Sequence, residues 1–60
     1  MKNYNLIAMT LIKRLSNGKA KVLPFDSYNL KQIENLANVI KEKESLKEKI
    51  DLFDIHLALR

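Results

Sequence analysis

The stretch Ser16-Asn17-Gly18-Lys19 decides the fold expected from the sequence. Asn-Gly supplies the two residues with positive φ that a type I′ turn requires, and this turn is the tightest connection of a β-hairpin. With the turn at 16–19, the apolar runs on either side, about 4–15 and 19–25, are predicted to pair as strands. Pro24 would mark the end or the free edge of the second strand.

The first run also fits a helix. Its apolar residues fall on one stripe at helical spacing, and Gly18 would then follow a helix C-terminus. Leu, Ala and Met favour a helix as well. The stripe consists of Tyr4, Ile7, Ala8, Leu11, Ile12 and Leu15. We favour the hairpin because it explains the residues on both sides of Gly18.

The most regular segment of the chain, about 28–44, predicts an amphipathic helix. Asp26-Ser27-Tyr28-Asn29 offers several N-cap residues at its start. The apolar face carries Leu30, Ile33, Leu36, Ala37, Val39 and Ile40, and the polar face carries Lys31, Glu34, Asn35, Asn38, Lys41 and Glu42. One face of this helix is therefore expected to be buried and the other to contact water.

The C-terminal segment, about 50–59, alternates between large apolar residues and other types. Phe53, Ile55, Leu57 and Leu59 recur at every second position, which predicts a half-buried strand. The alternative is a helix opened by the capping box Ser45-x-x-Glu48. Its inner face would carry Leu46, Ile50, Phe53 and Leu57. We favour the strand.

These elements predict one small α+β domain over residues 1–60, because a chain of this length has room for a single core. A β-hairpin, one amphipathic helix and a C-terminal strand would give a three-stranded antiparallel sheet with the helix on one face. A three-helix all-α fold is the alternative.

The residue inventory offers little catalytic chemistry. The chain has no Cys, one His (His56) and one Gly. A nucleophile with its base, a metal centre and a phosphate-binding loop all need more of these residues. Asp54 and His56 would share one side of the last strand, but two ligands are too few for a metal. We therefore expect a protein that is not an enzyme and has no metal or cofactor.

Positive charge is concentrated in the N-terminal part of the chain. The net charge is +4, and residues 1–25 hold five basic residues and no acidic residue. The predicted hairpin tip would present a basic patch of Lys13, Arg14, Lys19 and Lys21. Such a patch suggests phosphate contacts, so a small nucleic-acid-binding protein is the alternative function. The lack of Cys and of an apolar run of about 20 residues predicts a cytoplasmic protein that does not contact membranes.

The predicted architecture leaves one sheet face without cover, because a single helix can pack on one side only. Leu6, Ile12, Leu23 and Phe25 would lie on that uncovered face. Exposed apolar patches commonly mark interfaces, so we expect a homodimer or a complex with a larger protein. The predicted function is a non-catalytic protein-binding module that acts as a stoichiometric regulator or inhibitor. By loose analogy of composition, it would be a phage or mobile-element accessory protein.

Overall fold

The computed structural model of the 60-residue chain describes residues 3–18 and 25–60. Three α-helices and one 3-10 turn occur in these ranges: α1 (Tyr4–Ser16), the turn (Phe25–Ser27), α2 (Leu30–Leu46) and α3 (Leu52–Ala58). No residue within 3–18 or 25–60 belongs to a strand. The predicted α+β fold is therefore wrong, and the three-helix alternative is confirmed.

Helix α1 occupies the segment that was predicted as a strand over 4–15. The side chain of Asn3 caps its start by accepting a hydrogen bond from the Leu6 N–H (3.1 Å). Lys13 and Arg14 lie in its last turn, where positive charge stabilises the helix by interacting favourably with its dipole. Ala8 and Ile12 are fully buried one turn apart. The helical stripe, rather than strand pairing, therefore explains where these apolar residues lie.

The predicted type I′ turn is wrong at Asn17 and Gly18. Asn17 has φ −91° and Gly18 does not have a positive φ, whereas a type I′ turn needs positive φ at both residues. The Gly18 N–H donates to the Leu15 carbonyl (3.1 Å), which continues the end of α1. Of the predicted strand 19–25, residues 19–24 lie outside the described residues, and Phe25 begins the 3-10 turn.

Helix α2 confirms the predicted amphipathic helix. It covers Leu30–Leu46 instead of the predicted range of about 28–44. Asn29 and Gln32 form a reciprocal capping box, in which each side chain accepts a hydrogen bond of 2.9 Å from the other residue's N–H. The helix ends at Lys47, which has left-handed backbone angles (φ 57°, ψ 33°). The Glu48 N–H donates to the Lys43 carbonyl (2.9 Å), and this bond completes a Schellman motif without glycine.

Helix α3 replaces the strand predicted over 50–59. Asp51 and Asp54 form its capping box, with side-chain oxygens that accept from each other's N–H at 2.9 and 3.2 Å. The alternative capping residue Ser45 lies inside α2. Residues at spacing i, i+3 and i+4 are buried on α3 and at its C-cap: Ile55, Ala58 and Leu59. Phe53 and Leu57 are exposed, so the period of two that predicted a strand is not the period of burial.

The three helices share one apolar core, and α2 contacts both α1 and α3. Gln32 near the start of α2 donates to the Leu59 carbonyl after α3 (2.8 Å), and Lys43 near the end of α2 lies 3.8 Å from Asp54 at the start of α3. These two contacts show that α3 runs antiparallel to α2. The buried residues in the described part of the chain are Ala8, Ile12, Ile33, Leu36, Ala37, Ile55, Ala58 and Leu59. Each helix contributes one alanine to the core, which allows close approach of the axes.

Candidate functional site

An open groove of about 440 Å³ runs along α1 beside the C-terminal half of α2. Five of its described lining residues come from α1, one from α2, and one from the connection between α2 and α3. They are Leu6, Ile7, Thr10, Leu11, Arg14, Ile40 and Ile50. The groove is therefore a feature of the outer side of α1, where it meets the end of α2.

The lining is mostly apolar and partly open to solvent. Leu6 is 56% exposed and Ile7 is 36% exposed, whereas Leu11, Ile40 and Ile50 are partly buried against the core. Helix α2 covers the side of α1 that carries Ala8 and Ile12. The apolar stripe of α1 is wider than this contact, so its outer part remains in water.

Only two described lining residues carry polar side chains. The Thr10 hydroxyl donates to the Leu6 carbonyl one turn earlier (2.9 Å), so its proton is used within α1. Arg14 is exposed at the end of the groove nearest the α1 C-terminus. Its guanidinium group presents several fixed donors that suit a carboxylate or a phosphate. Among the described lining residues, Arg14 is therefore the group that can recognise a charged ligand.

The connection that carries Ile50 is held by ionic contacts at both of its ends. The Lys43 ammonium donates to the Glu48 carboxylate (3.2 Å) and lies 3.8 Å from an oxygen of Asp54. Lys43 and Glu48 are the two positions whose side chains usually make the apolar contact of a Schellman motif. Here an ion pair joins them. The end of α2 and the start of α3 are thus linked on either side of Ile50.

Two groups in this connection have shifted pKa values. The hydrogen bond to Glu48 raises the pKa of Lys43 above its ordinary value, and the charge of Asp54 raises it further. The backbone N–H of Asp54 lowers the pKa of the Asp51 carboxyl group, because it donates to the ionised form. Both shifts favour the charged forms in the folded chain.

The four predicted interface residues lie in different environments or outside the described residues. Leu6 is exposed and lines the groove. Ile12 is 0% exposed in the core, so it cannot contact a partner, and it lies in helix α1 rather than on a sheet face. Leu23 lies outside the described residues. Phe25 is the first residue of the 3-10 turn, and its side chain is outside the description.

Only two of the four residues of the predicted basic patch lie in the described part of the chain. Lys13 and Arg14 are exposed and adjacent in the last turn of α1. Lys19 and Lys21 lie outside the described residues. The predicted hairpin tip is wrong at Lys13 and Arg14, because both lie in helix α1 and Asn17 and Gly18 lack the positive φ of a type I′ turn.

Most of the groove residues were not predicted from the sequence. Ile7 and Leu11 were expected within the first strand, and Thr10 was not a candidate residue. Ile40 was expected on the buried face of the amphipathic helix, and Ile50 in the last strand or on the inner face of the alternative helix. The helical stripe of α1 could have identified Ile7 and Leu11. The position of Ile50 depends on how the α2–α3 connection folds back, and no local pattern reports this.

The remaining polar residues offer no further site in the described parts of the chain. Asp54 caps α3 and lies near Lys43, while His56 is exposed on the outer side of α3. Residues 3–18 and 25–60 contain no group of three or more His, Asp or Glu residues that could hold a metal ion. None of the described helices combines the length and hydrophobicity needed to cross a membrane.

Comparisons with known proteins do not extend this description. No protein-family model matches the chain, and no curated protein or solved structure matches it either.

Proposed function

We propose that this chain is a small non-catalytic protein-binding module whose groove seats part of a larger protein, and that it acts as a stoichiometric regulator or inhibitor. The observation that carries the proposal is the apolar groove beside α1, with Leu6 and Ile7 in water at its rim. Apolar pockets with few polar groups are typical of binding sites. Leu6 and Ile7 are not needed for the core, which α1 joins through Ala8 and Ile12.

The positions of the reactive side chains support a binding role over a catalytic one. His56 is exposed on α3. The Ser16 hydroxyl donates to the Lys13 carbonyl (3.0 Å), Ser27 lies in the 3-10 turn, and Ser45 is exposed in α2. Nucleophilic catalysis needs a nucleophile within hydrogen-bonding distance of a base. Among the described residues, no hydrogen bond joins a serine to His56. The proposed setting is the cytoplasm, consistent with a chain that lacks Cys.

The test is an affinity capture from native host lysate after nuclease treatment, with wild type, Leu6→Asp and Leu30→Asp. Leu30 is 62% exposed, as open as Leu6, but it does not line the groove. We expect wild type and Leu30→Asp to capture the same protein at near-equal stoichiometry. Leu6→Asp should lose about tenfold or more, because a carboxylate would be buried in an apolar contact. Circular dichroism verifies that both variants remain helical.

Two results would contradict the groove as the binding surface. Equal capture by wild type and Leu6→Asp would move the interface elsewhere. An equal loss for Leu6→Asp and Leu30→Asp would indicate a general effect of added negative charge or of misfolding.

Nucleic-acid binding is the second candidate, and the adjacent exposed cations Lys13 and Arg14 favour it. It requires that wild type bind duplex DNA or RNA with an affinity that falls steeply as salt is raised. The charge reversal Arg14→Glu should then weaken binding and flatten the salt dependence. Fluorescence anisotropy with labelled duplexes at low salt measures both, and no binding at low salt removes this candidate.

A further inference from the structure

The length of the groove along α1 fits a short helical segment. Its lining begins at Leu6 and ends at Arg14, a rise of about 12 Å at 1.5 Å per residue. Two turns of a second helix have almost the same length. A helix laid in a groove binds through apolar residues at spacings i, i+3 or i+4, and i+7, which also span about two turns. The apolar lining therefore matches the anchors of one amphipathic helix.

The backbone around the groove favours a bound helix over an added β-strand. A peptide that binds by adding a β-strand needs an exposed strand edge to pair with its N–H and C=O groups. Residues 3–18 and 25–60 contain no strand, and the lining residues of α1 and α2 lie within helices. Their backbone groups bond within those helices. A helical ligand already has its backbone N–H and C=O groups hydrogen-bonded. It therefore avoids the free-energy cost of burying unpaired backbone groups in an apolar contact.

The charge at the groove defines the second property of the ligand. Arg14 is the charged residue among the described lining, and α1 has no acidic residue beside it. The Thr10 hydroxyl already donates to the Leu6 carbonyl. A carboxylate at the end of the groove would pair with Arg14 in a charge-assisted hydrogen bond, which a guanidinium group can make in bidentate form.

We propose that the groove binds one amphipathic helix of a partner protein, seated by apolar residues at i, i+3 or i+4, and i+7 and oriented by an acidic residue that pairs with Arg14. This inference rests on the proposed function, since it names the partner segment that the same groove accepts. The apolar anchors supply contact area along Leu6, Ile7 and Leu11, and the acidic residue sets the direction of the helix.

The experiment selects random displayed peptides of about 14 residues, a common helix length, on the full 60-residue chain. The affinity of an enriched peptide is then measured by fluorescence anisotropy against wild type, Leu6→Asp, Arg14→Glu and Lys13→Glu. Lys13 is the neighbouring exposed cation outside the groove lining. Lys13→Glu therefore matches the change in net charge and separates it from a local contact.

We expect enriched peptides to share helical apolar spacing and one acidic position. Leu6→Asp and Arg14→Glu should each weaken binding by about tenfold or more, and Lys13→Glu by less than about threefold. A peptide in which Lys replaces that acidic residue should bind Arg14→Glu better than wild type. This exchange of preference is the result that identifies the ion pair.

The failures of the two proposals are distinguishable. Peptides that need Leu6 but lack helical spacing, or that respond equally to Arg14→Glu and Lys13→Glu, overturn the helix inference and leave the groove as a binding surface. Peptides that bind Leu6→Asp as well as wild type, or a selection without enrichment, overturn the inference, and the lysate capture then decides the proposed function separately. A dimer in sedimentation equilibrium that Leu6→Asp dissociates identifies a second copy as the occupant and also overturns it.

Discussion

The outer faces of α2 and α1 differ in kind, although both helices pack on the same core. The middle of the outer face of α2 is polar, and its six polar residues are exposed: Lys31, Glu34, Asn35, Asn38, Lys41 and Glu42. The outer side of α1 instead presents Leu6 and Ile7 beside Thr10 and its terminal cations. Exposed apolar residues also occur at the two ends of α2 (Leu30 and Leu46) and on α3 (Leu52, Phe53 and Leu57). Of these described exposed residues, Leu6 and Ile7 of α1 line the groove, and the comparison therefore points to α1 as the surface used for binding.

The largest expected effect separates a core leucine of α2 from a groove leucine of α1. Leu36 is 0% exposed, so Leu36→Ala should lower the free energy of unfolding by about 2–5 kcal/mol through lost contacts and a cavity. Cores of this size supply only about 3–5 kcal/mol, and much of the variant should be unfolded at room temperature. Leu6→Ala should change stability by less than about 0.5 kcal/mol. Urea titration followed by circular dichroism measures both, and equal losses would break the comparison.

A smaller effect compares the caps of the two helices. Asn29 takes part in a reciprocal capping box, so Asn29→Ala should lower the free energy of unfolding by about 1 kcal/mol, and Asn29→Asp should restore most of it. Asn3 makes a single capping bond to Leu6 and caps the first turn of a helix that contacts α2 alone among the other helices. Asn3→Ala should cost less than Asn29→Ala in the same urea titrations. The reverse order would mean that α1, rather than α2, limits the stability of the fold.

The end of α1 gives a test of the opposite sign. A Cβ atom added at Gly18 would lie 3.6 Å from the Arg14 carbonyl oxygen and 3.7 Å from that of Leu15, which are ordinary contacts. Because Gly18 does not have a positive φ, Gly18→Ala should stabilise the chain by about 0.4–1 kcal/mol through lower entropy of the unfolded state. A clear loss of stability in thermal or urea unfolding would instead favour a type I′ hairpin at this position.

The smallest expected effect is a pH dependence at the start of α3. The pKa of Asp51 is lowered in the folded chain by the Asp54 N–H. The resulting stabilisation is present above the ordinary carboxyl value near 3.8 and is lost as pH falls through the lowered folded value. Asp51→Asn keeps a good N-cap but does not titrate there. Its melting temperature should therefore fall less than that of wild type between pH 5 and pH 2, and parallel curves would argue against this capping bond.

Local signals differed in how much of this fold they could predict. Helix α2 was predictable because its apolar period, its cap and its polar face all agree. Asn17-Gly18 misled the prediction because Asn and Gly follow helices as readily as they form hairpins. The apolar residues at every second position from Phe53 to Leu59 also misled it, because Phe53 and Leu57 are exposed on α3 and their spacing imitates that of a strand. Burial depends on where α2 lies, and this is a tertiary property.

The candidate site was less predictable than the fold. Leu6 and Arg14 were identified for reasons that belonged to a hairpin, yet both line the groove. Ile12 was misplaced because a period of two assigns alternate residues to opposite faces, whereas helical spacing puts Ile12 with Ala8 in the core. Ile40 and Ile50 become neighbours of α1 only through the return of the chain after α2.

The ion pairs around Lys43 link binding at the groove to the folding of the connection between α2 and α3. Ile50 forms part of the groove and lies between a helix end with a left-handed lysine and a helix start with a capping box. A ligand that needs Ile50 in this position binds only the fraction of molecules in which both terminations are intact. By linkage, affinity at the groove and the population of the intact connection must rise and fall together. The chain can thus be tuned as a binder by residues that its ligand never touches.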